Sequence, residues 1–356
     1  MWKDRRILDL LGIELPVIQA PMAGANLSDM VIAVSEAGGL GSLPCALLSI
    51  DKAREELSRI RQKTSKPINV NFFCHQAPVF DSEREAAWKQ RLKDYYMELG
   101  LDPAMPTPPS ARAPFDEAFL GLVEEFRPEI VSFHFGLPRQ DLLNRVKETG
   151  AKVLSSATTV DEARWLEREG CDAIIAQGFE AGGHRGIFLT DDISTQVGTM
   201  ALVPQVVDAV KVPVIAAGGI ADARGIVAAF ALGASAVQIG TAYLFTPEAT
   251  ISPVHRQALK GAGSEKTALT NLFTGRPARG IVNRVMREVG PISTSAPDFP
   301  LAGGALAPLR QKSEPLGSGD FMSLWSGQAA GLSRELPAGE LTKRLAEEAL
   351  ARLSSR

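Results

Sequence analysis

The stretch 178-GFEAGGHRG-186 sets one acid, one histidine and one arginine among four glycines. It begins where the apolar run Ala173-Ile174-Ile175-Ala176 ends. Glycines leave a backbone bare enough to lie against a flat ligand. An imidazole there can take a proton as a neutral base or pair with an anion as a cation, because its unperturbed pKa is about 6.5. The bland alternative is a loop histidine bonded to a backbone carbonyl. Glu180 reads as securing the loop or facing solvent, and Arg185 as attracting an anionic substrate. Of the four histidines, His75 and His134 also follow apolar runs, 68-INVNFF-73 and 130-IVSFHF-135. His255 falls elsewhere. Cys74, His75, His134 and His184 lack the spacing of a metal site, so no metal is expected.

Those histidines need a scaffold. Short β-branched runs alternate with helical patterns from the N-terminus onward, which reads as βα units. Eight strands are expected, near 17–20, 40–43, 68–73, 130–135, 152–157, 173–178, 213–219 and 236–241. Helices are expected over 27–39, 51–64 (with Asp51 as N-cap), 139–150, 160–170 and 222–233. No antiparallel hairpin is visible. The pattern predicts an α/β fold, a closed (β/α)8 TIM barrel, with an open doubly wound sheet as the alternative. Two stretches break the rhythm. Residues 75–114 read as an insertion after strand three, with a charged helix over 82–100 and an extended Pro-rich connector. Residues 263–356 read as a C-terminal cap over one end of a barrel formed by 1–262.

In such barrels the chemistry gathers at the C-terminal ends of the strands, where His75, His134 and His184 would lie. The glycines of 216-AAGGIADARG-225 and 238-QIGTAYL-244 would bring backbone N–H groups to a phosphate after the last two strands. Tight turns alone are the bland reading of these glycines. Asp222 is expected to cap the following helix, since its charge would oppose a phosphate. Gln19, Asn69, Asn71, Gln177 and Gln238 interrupt strands that should be apolar, and a buried amide is costly without a partner. Some of the five should pair within the barrel. Others, facing the mouth, suit a flavin ring with both donors and acceptors.

The bulk composition excludes other classes. The 356 residues are 45% hydrophobic and 22% charged with a net charge of −3, which gives no support for nucleic-acid binding. No run of eighteen apolar residues offers a membrane span, and the N-terminus lacks a secretory core. Three widely spaced cysteines do not make a disulfide framework, so a reducing cytoplasm is the expected location.

The stretches 18-IQAPMAG-24, 68-INVNFFCH-75, 131-VSFHFGLP-138, 173-AIIAQGFEAGGHRG-186, 214-VIAAGGIADARG-225, 236-AVQIGTAYL-244 and 273-FTGRPARGIVNR-284 resemble the nitronate monooxygenases. This FMN-dependent barrel family was formerly called 2-nitropropane dioxygenases, and the pairing of SFHFG with GxEAGGHRG is similar to its first class. The resemblance implies FMN contacts from Asn71, Gln177, Gly182, Gly219 and the run Gln238, Ile239, Gly240 and Thr241. Ala20, Pro21, Met22, Gly183 and Gly218 complete the implied cofactor set. His184 is implied as the catalytic residue, with His134, His75 and Arg185 in the substrate pocket. The implied substrates are alkyl nitronates or nitroalkanes with O2, propionate 3-nitronate foremost. The implied products are an aldehyde or oxo acid with nitrite or nitrate, in a detoxifying role. The chain would act as a monomer or homodimer. Flavin-type enoyl-ACP reductases and quinone reductases share a glycine-framed histidine, so an NAD(P)H-dependent flavin reductase is the alternative.

Overall fold

The computed structural model describes residues 2–110, 112–261 and 263–354. The barrel strands are β1 (Val17–Gln19), β2 (Gly41–Pro44), β3 (Ile68–Phe73), β4 (Ile130–His134), β5 (Lys152–Ala157) and β6 (Ala173–Gln177). After β7 (Gly183–His184), which lies outside the barrel, come β8 (Val214–Ala217) and β9 (Ala236–Ile239). Every barrel pairing is parallel, in the order β1-β9-β8-β6-β5-β4-β3-β2. The ring closes where Leu40 N–H donates to the Val17 carbonyl (3.0 Å) and Gln19 N–H to the Leu40 carbonyl (2.9 Å). The chain is a (β/α)8 TIM barrel. All eight expected strands are present, the second one residue later than read.

The period of two along each strand sorts the side chains. Val17, Ile174, Val214 and Val237 pack outward against the helix layer. Ile18, Ile175, Ile215 and Ala236 point inward and share a cluster with Ile7, Leu8 and Leu11. The short helix Arg6–Leu11 therefore closes the end of the barrel from which the strands start. The interior is left to open at the strand C-termini. The helix Ile50–Lys63 is capped by Ser49, whose hydroxyl accepts from Lys52 N, and not by Asp51. Asp222 caps Ala223–Ala231 through Arg224 N and Gly225 N, as expected.

The insertion and most of the tail form one layer. In the helix Ser82–Glu98, Trp88, Leu92, Tyr95 and Tyr96 pack on Leu272, Met286, Leu309 and Phe321 of the tail. Trp88 Nε1 donates to the Ala302 carbonyl (3.0 Å) and Tyr96 Oη to that of Ala305 (2.6 Å). Each fully buried leucine there is worth roughly 1.5–3 kcal/mol, enough to hold the layer together without a disulfide. The tail also adds β10 (Thr267–Thr270) and β11 (Ala278–Ile281), which form an antiparallel sheet in the order β10-β11-β7. Sequence reasoning saw no antiparallel pairing because β7 has two residues and no alternation to read.

The final helix, Ala338–Ser354, does not join that cap. Its Leu341, Leu345 and Ala349 pack into the barrel's outer core beside Val31, Val34 and Ile226. Its Thr342 Oγ1 meets Tyr243 Oη at 2.7 Å. The last helix thus completes the ring of outer helices, between those at Ser28–Glu36 and Ala223–Ala231. Reading all of 263–356 as a cap is corrected here; amphipathic periodicity marks a buried face without saying which surface covers it.

Candidate active site

A cavity of about 500 Å³ opens at the strand C-termini, between the barrel and the layer built by insertion and tail. Ala20, Pro21 and Met22 after β1, Asn71 on β3, His134 on β4 and Gln177 on β6 line it. So do Gly182, Gly183 and His184, Gly218 and Gly219 after β8, and Gln238, Gly240 and Thr241 on and after β9. Ile239 does not. It is buried toward the helices because it alternates with Gln238, so its side chain has no part in the cavity.

The loop carrying His184 is held from three sides. Gln177 spends its amide on it: Nε2 donates to the His184 carbonyl (3.0 Å), and Oε1 accepts from Gly186 N (2.7 Å). The Glu180 carboxylate accepts from Thr199 N (2.8 Å) and Thr199 Oγ1 (2.7 Å), so it secures the loop. The cap pins the loop as an edge strand, with His184 opposite Ala278 and Gly183 opposite Arg279. Gly183 takes φ +71°, where a side chain would be strained.

Arg185 corrects an expectation. It is fully buried, absent from the cavity wall, and donates to the carbonyls of Gly178 (2.8 Å), Ala181 and Gly183. A guanidinium can satisfy several carbonyls of one turn at once, and here it supports the loop from beneath. Burial and then Arg279 push its pKa down to about 9, against the pull of Glu180. His75 also stands off the cavity. Its ring abuts Phe299 edge-on at 4.8 Å, and burial, with Arg276 and Arg112, lowers its pKa to about 4.

The His184 ring sits in an aromatic enclosure. Phe299, Trp325, Phe135 and Phe73 have centroids 5.4, 5.5, 5.9 and 6.0 Å away. Part of the ring faces the cavity while protein surrounds it at longer range. Burial first, then Arg112, His134, Arg276 and Arg185, hold its pKa well below the ordinary value. Held there, the imidazole is neutral near pH 7, the form that can accept a proton. Its Nε2 meets Thr274 Oγ1 at 3.0 Å. That hydroxyl also approaches the Arg276 carbonyl (3.3 Å). When it donates there it accepts from Nε2–H, and the basic lone pair falls on Nδ1. His134, with Nδ1 3.1 Å from Ser156 Oγ, is likewise held neutral, its pKa pushed down to about 3, chiefly by burial.

The other amides divide. Gln19 is spent inside the barrel, its Oε1 accepting from Ser42 N (2.8 Å). Asn69 lies below the cavity and donates to Ser42 Oγ (3.0 Å). Asn71 lines the cavity and donates to Ser132 Oγ (2.9 Å). Gln238 Oε1 is buried with no partner among the described residues. Such an atom is costly unless a ligand donates to it.

Sequence reasoning missed several cavity residues. His255, set aside as remote, lines it and bonds the Trp325 carbonyl through Nε2 (3.0 Å). Trp325, Ser326 and Gly327 come from the tail, where Gly327 N donates to Thr241 Oγ1 (2.9 Å). Only distance in sequence hid them; the Gly-Trp pattern of 317–327 has no periodicity that places it. Among the described residues no group of three His, Cys, Asp or Glu could hold a metal ion, and no helix is long and apolar enough to cross a membrane.

A closed TIM barrel with an enclosed histidine and glycine loops around one cavity at its mouth has the architecture of a barrel enzyme. The comparisons make this specific. A family model described as nitronate monooxygenase matches residues 4–348. A nitronate monooxygenase of Pseudomonas aeruginosa is 43% identical over 346 residues, covering 96% of this chain and 98% of that protein. The crystal structure of a nitroalkane oxidase from Streptomyces ansochromogenes superposes with a TM-score of 0.89 at 38% identity, covering 98% of this chain and 99% of that one. FabK of Thermotoga maritima gives a TM-score of 0.76 at 30% identity, covering 100% and 98%. The chain belongs to the nitronate monooxygenase family, oxidoreductases that work with a flavin.

Proposed function

We propose that this chain binds FMN in the cavity and oxidises alkyl nitronates with O2, propionate 3-nitronate among them, to an aldehyde or oxo acid with nitrite or nitrate. A detoxifying role and a cytoplasmic location are part of the same proposal. The observation that carries the reading is the glycine-walled cavity at the strand C-termini, where Gln238 Oε1 has no partner among the described residues and the enclosed His184 stands at the edge.

The donor set fits a flavin. Gln238 Oε1 awaits a donor, as a pyrimidine edge would supply. A Cβ built on Gly183 meets nothing within 4 Å, and one on Gly240 meets only Ala20 Cβ at 3.5 Å and Met22 Sδ at 3.8 Å. Both glycines line the cavity, so the room kept free there suits a ring laid against backbone. Asn71, Gln177 and Gln238 would border the ring, and Gly218, Gly219, Gly240 and Thr241 the phosphate. The bound flavin would supply the electron acceptor for nitronate oxidation. His184 would take the carbon-bound proton when the substrate arrives as a neutral nitroalkane. The enclosure around it excludes water, which keeps the base neutral and the developing anion exposed to fixed charges.

The expected result is a yellow purified protein that releases FMN on denaturation and consumes O2 with propionate 3-nitronate. A colourless protein that takes up no FMN, or a flavoprotein inert to every nitronate tried, contradicts the reading.

A further inference from the structure

Successive residues of the tail segment 274-TGRPARG-280 hold His184 and the rings around it. Ala278 pairs with His184 between β11 and β7, and the Pro277 carbonyl accepts from Arg185 N (2.9 Å). Arg276 donates to the Ile187 carbonyl (2.7 Å) and lays its guanidinium over Phe135 at 4.3 Å, the ring that stands edge-on to His184. Gly275, at φ +91°, lies so close to Pro297 and Asp298 that a Cβ would run into their backbone. That approach sets Phe299 beside His184. Gly280 bridges to Trp325, the next ring of the enclosure. Three of the four rings around the imidazole therefore rest on this one segment.

Thr274 touches the imidazole itself. It is buried, and its Oγ1, 3.0 Å from Nε2, is the only polar side-chain atom bonded to the His184 ring among the described residues. The charged and titratable groups around the ring are engaged elsewhere or stand apart from it. Arg185 lies beneath the loop, Arg276 over Phe135 and His134 on Ser156 Oγ, while the connector of the insertion sets Arg112 on the cavity wall. The Thr274 hydroxyl has two acceptors within reach, Nε2 and the Arg276 carbonyl (3.3 Å). That carbonyl takes no other donor among the described residues, so it draws the hydroxyl proton, and the oxygen is left to accept from Nε2–H. Nδ1 has no partner among the described residues and is not sealed from the cavity that the ring lines. The basic lone pair then stands on the atom a substrate can reach.

We propose that Thr274 is a positioning residue that fixes His184 in the Nε2–H tautomer, making Nδ1 the atom that removes the carbon-bound proton of a neutral nitroalkane. This rests on the proposed reaction and deepens it. In the step the substrate C–H bond breaks, its electron pair passes to the nitro group as the nitronate forms, and the proton makes an N–H bond at Nδ1. The ring's new charge is shared with Nε2, whose bond to Thr274 Oγ1 strengthens, as charge-assisted hydrogen bonds do. A hydroxyl that binds the charged ring more tightly than the neutral one favours the transition state over the bound substrate, so its loss falls on kcat. Preformed nitronates need no such transfer and gain little from the hydroxyl.

The test compares flavin-loaded, nitrogen-labelled wild type, Thr274→Val and Thr274→Ser by long-range proton–nitrogen NMR of the imidazoles. The His184 signals are assigned by their absence from His184→Asn. Wild type and Thr274→Ser should carry the proton on Nε2 alone, and Thr274→Val should populate the Nδ1–H form. Thr274→Val should lower kcat for nitroethane roughly 10- to 100-fold, the worth of a hydrogen bond to a charged group, and change KM and the rate on ethyl nitronate less than about threefold. Thr274→Ser should restore most of that kcat. A wild type with its proton on Nδ1 would make Thr274 the donor and overturn the proposal. An unchanged tautomer in Thr274→Val, or equal losses on nitroethane and ethyl nitronate, would reduce Thr274 to a packing residue and overturn it too. Should Thr274→Val not fold, Thr274→Ala is read in the same way. If wild type turns over neither substrate, the proposed reaction fails, and the tautomers of wild type and Thr274→Val still decide the positioning role.

Discussion

His184→Asn should slow turnover of neutral nitroalkanes by roughly 10²- to 10⁴-fold, the usual contribution of a positioned general base. Preformed nitronates should lose far less, because they arrive without the proton that His184 removes. Asparagine preserves a polar group near Thr274 Oγ1 and cannot act as a base at neutral pH. The His184 pKa, held well below 6.5 by burial and four neighbouring cationic or imidazole groups, fixes the pH dependence. The base is deprotonated above its folded pKa. Activity on nitroalkanes should therefore stay level as pH falls through 6.5 and decline only in more acidic solution, provided the nitroalkane itself stays neutral. Steady-state rates on nitroethane and ethyl nitronate across pH check both points. Small, equal losses on the two substrates would remove the base from the mechanism.

Arg185→Met should cost stability and cofactor retention together. The substitution strips donors from the carbonyls of Gly178, Ala181 and Gly183, all in the loop that carries His184. Each buried group left unpaired costs about 1–3 kcal/mol. Sparing the burial of a charge offsets part of that, so a net loss of about 2 kcal/mol or more is expected. A lower Tm and partial loss of flavin, read by thermal unfolding and by the visible spectrum, would follow from a loosened loop. An unchanged Tm with a raised KM for nitronates would instead return Arg185 to the substrate pocket.

The contrast between Arg185 and Arg112 shows where sequence reading reached its limit. Most barrel strands were legible because they combine β-branched residues with a helix-period segment behind them, while the second, without a β-branched residue, was legible from its place between two helical segments. Gln177, Gln238 and the glycine turns could be set at the mouth because strand polarity places their ends there. Arg185, next to the histidine in sequence, drew a functional reading from adjacency alone. The loop turns so tightly that neighbouring side chains point in opposite directions, one into the cavity and one beneath it. Ile239 was mistaken for the same reason, since a run of contact residues ignores alternation along a strand. Arg112, Thr274, Trp325 and Gly327 were invisible as site residues because they lie outside βα units. The packing of Trp88 and Tyr96 on the tail, with the β7–β11 pairing and the Gly327 N to Thr241 Oγ1 bond, brings those segments over the barrel. The antiparallel pairing of β7 with β11 likewise depends on that assembly.

The proposed activity of this cavity is nitronate oxidation through a bound flavin. Anaerobic mixing of the flavin-loaded protein with propionate 3-nitronate, and separately with NADH, tests it most directly. Loss of the oxidised-flavin absorbance with the nitronate, at a rate that supports turnover, and no comparable change with NADH is the expected result. Rapid bleaching by NADH with none by any nitronate would contradict the account and assign the barrel to a pyridine-nucleotide-dependent reductase.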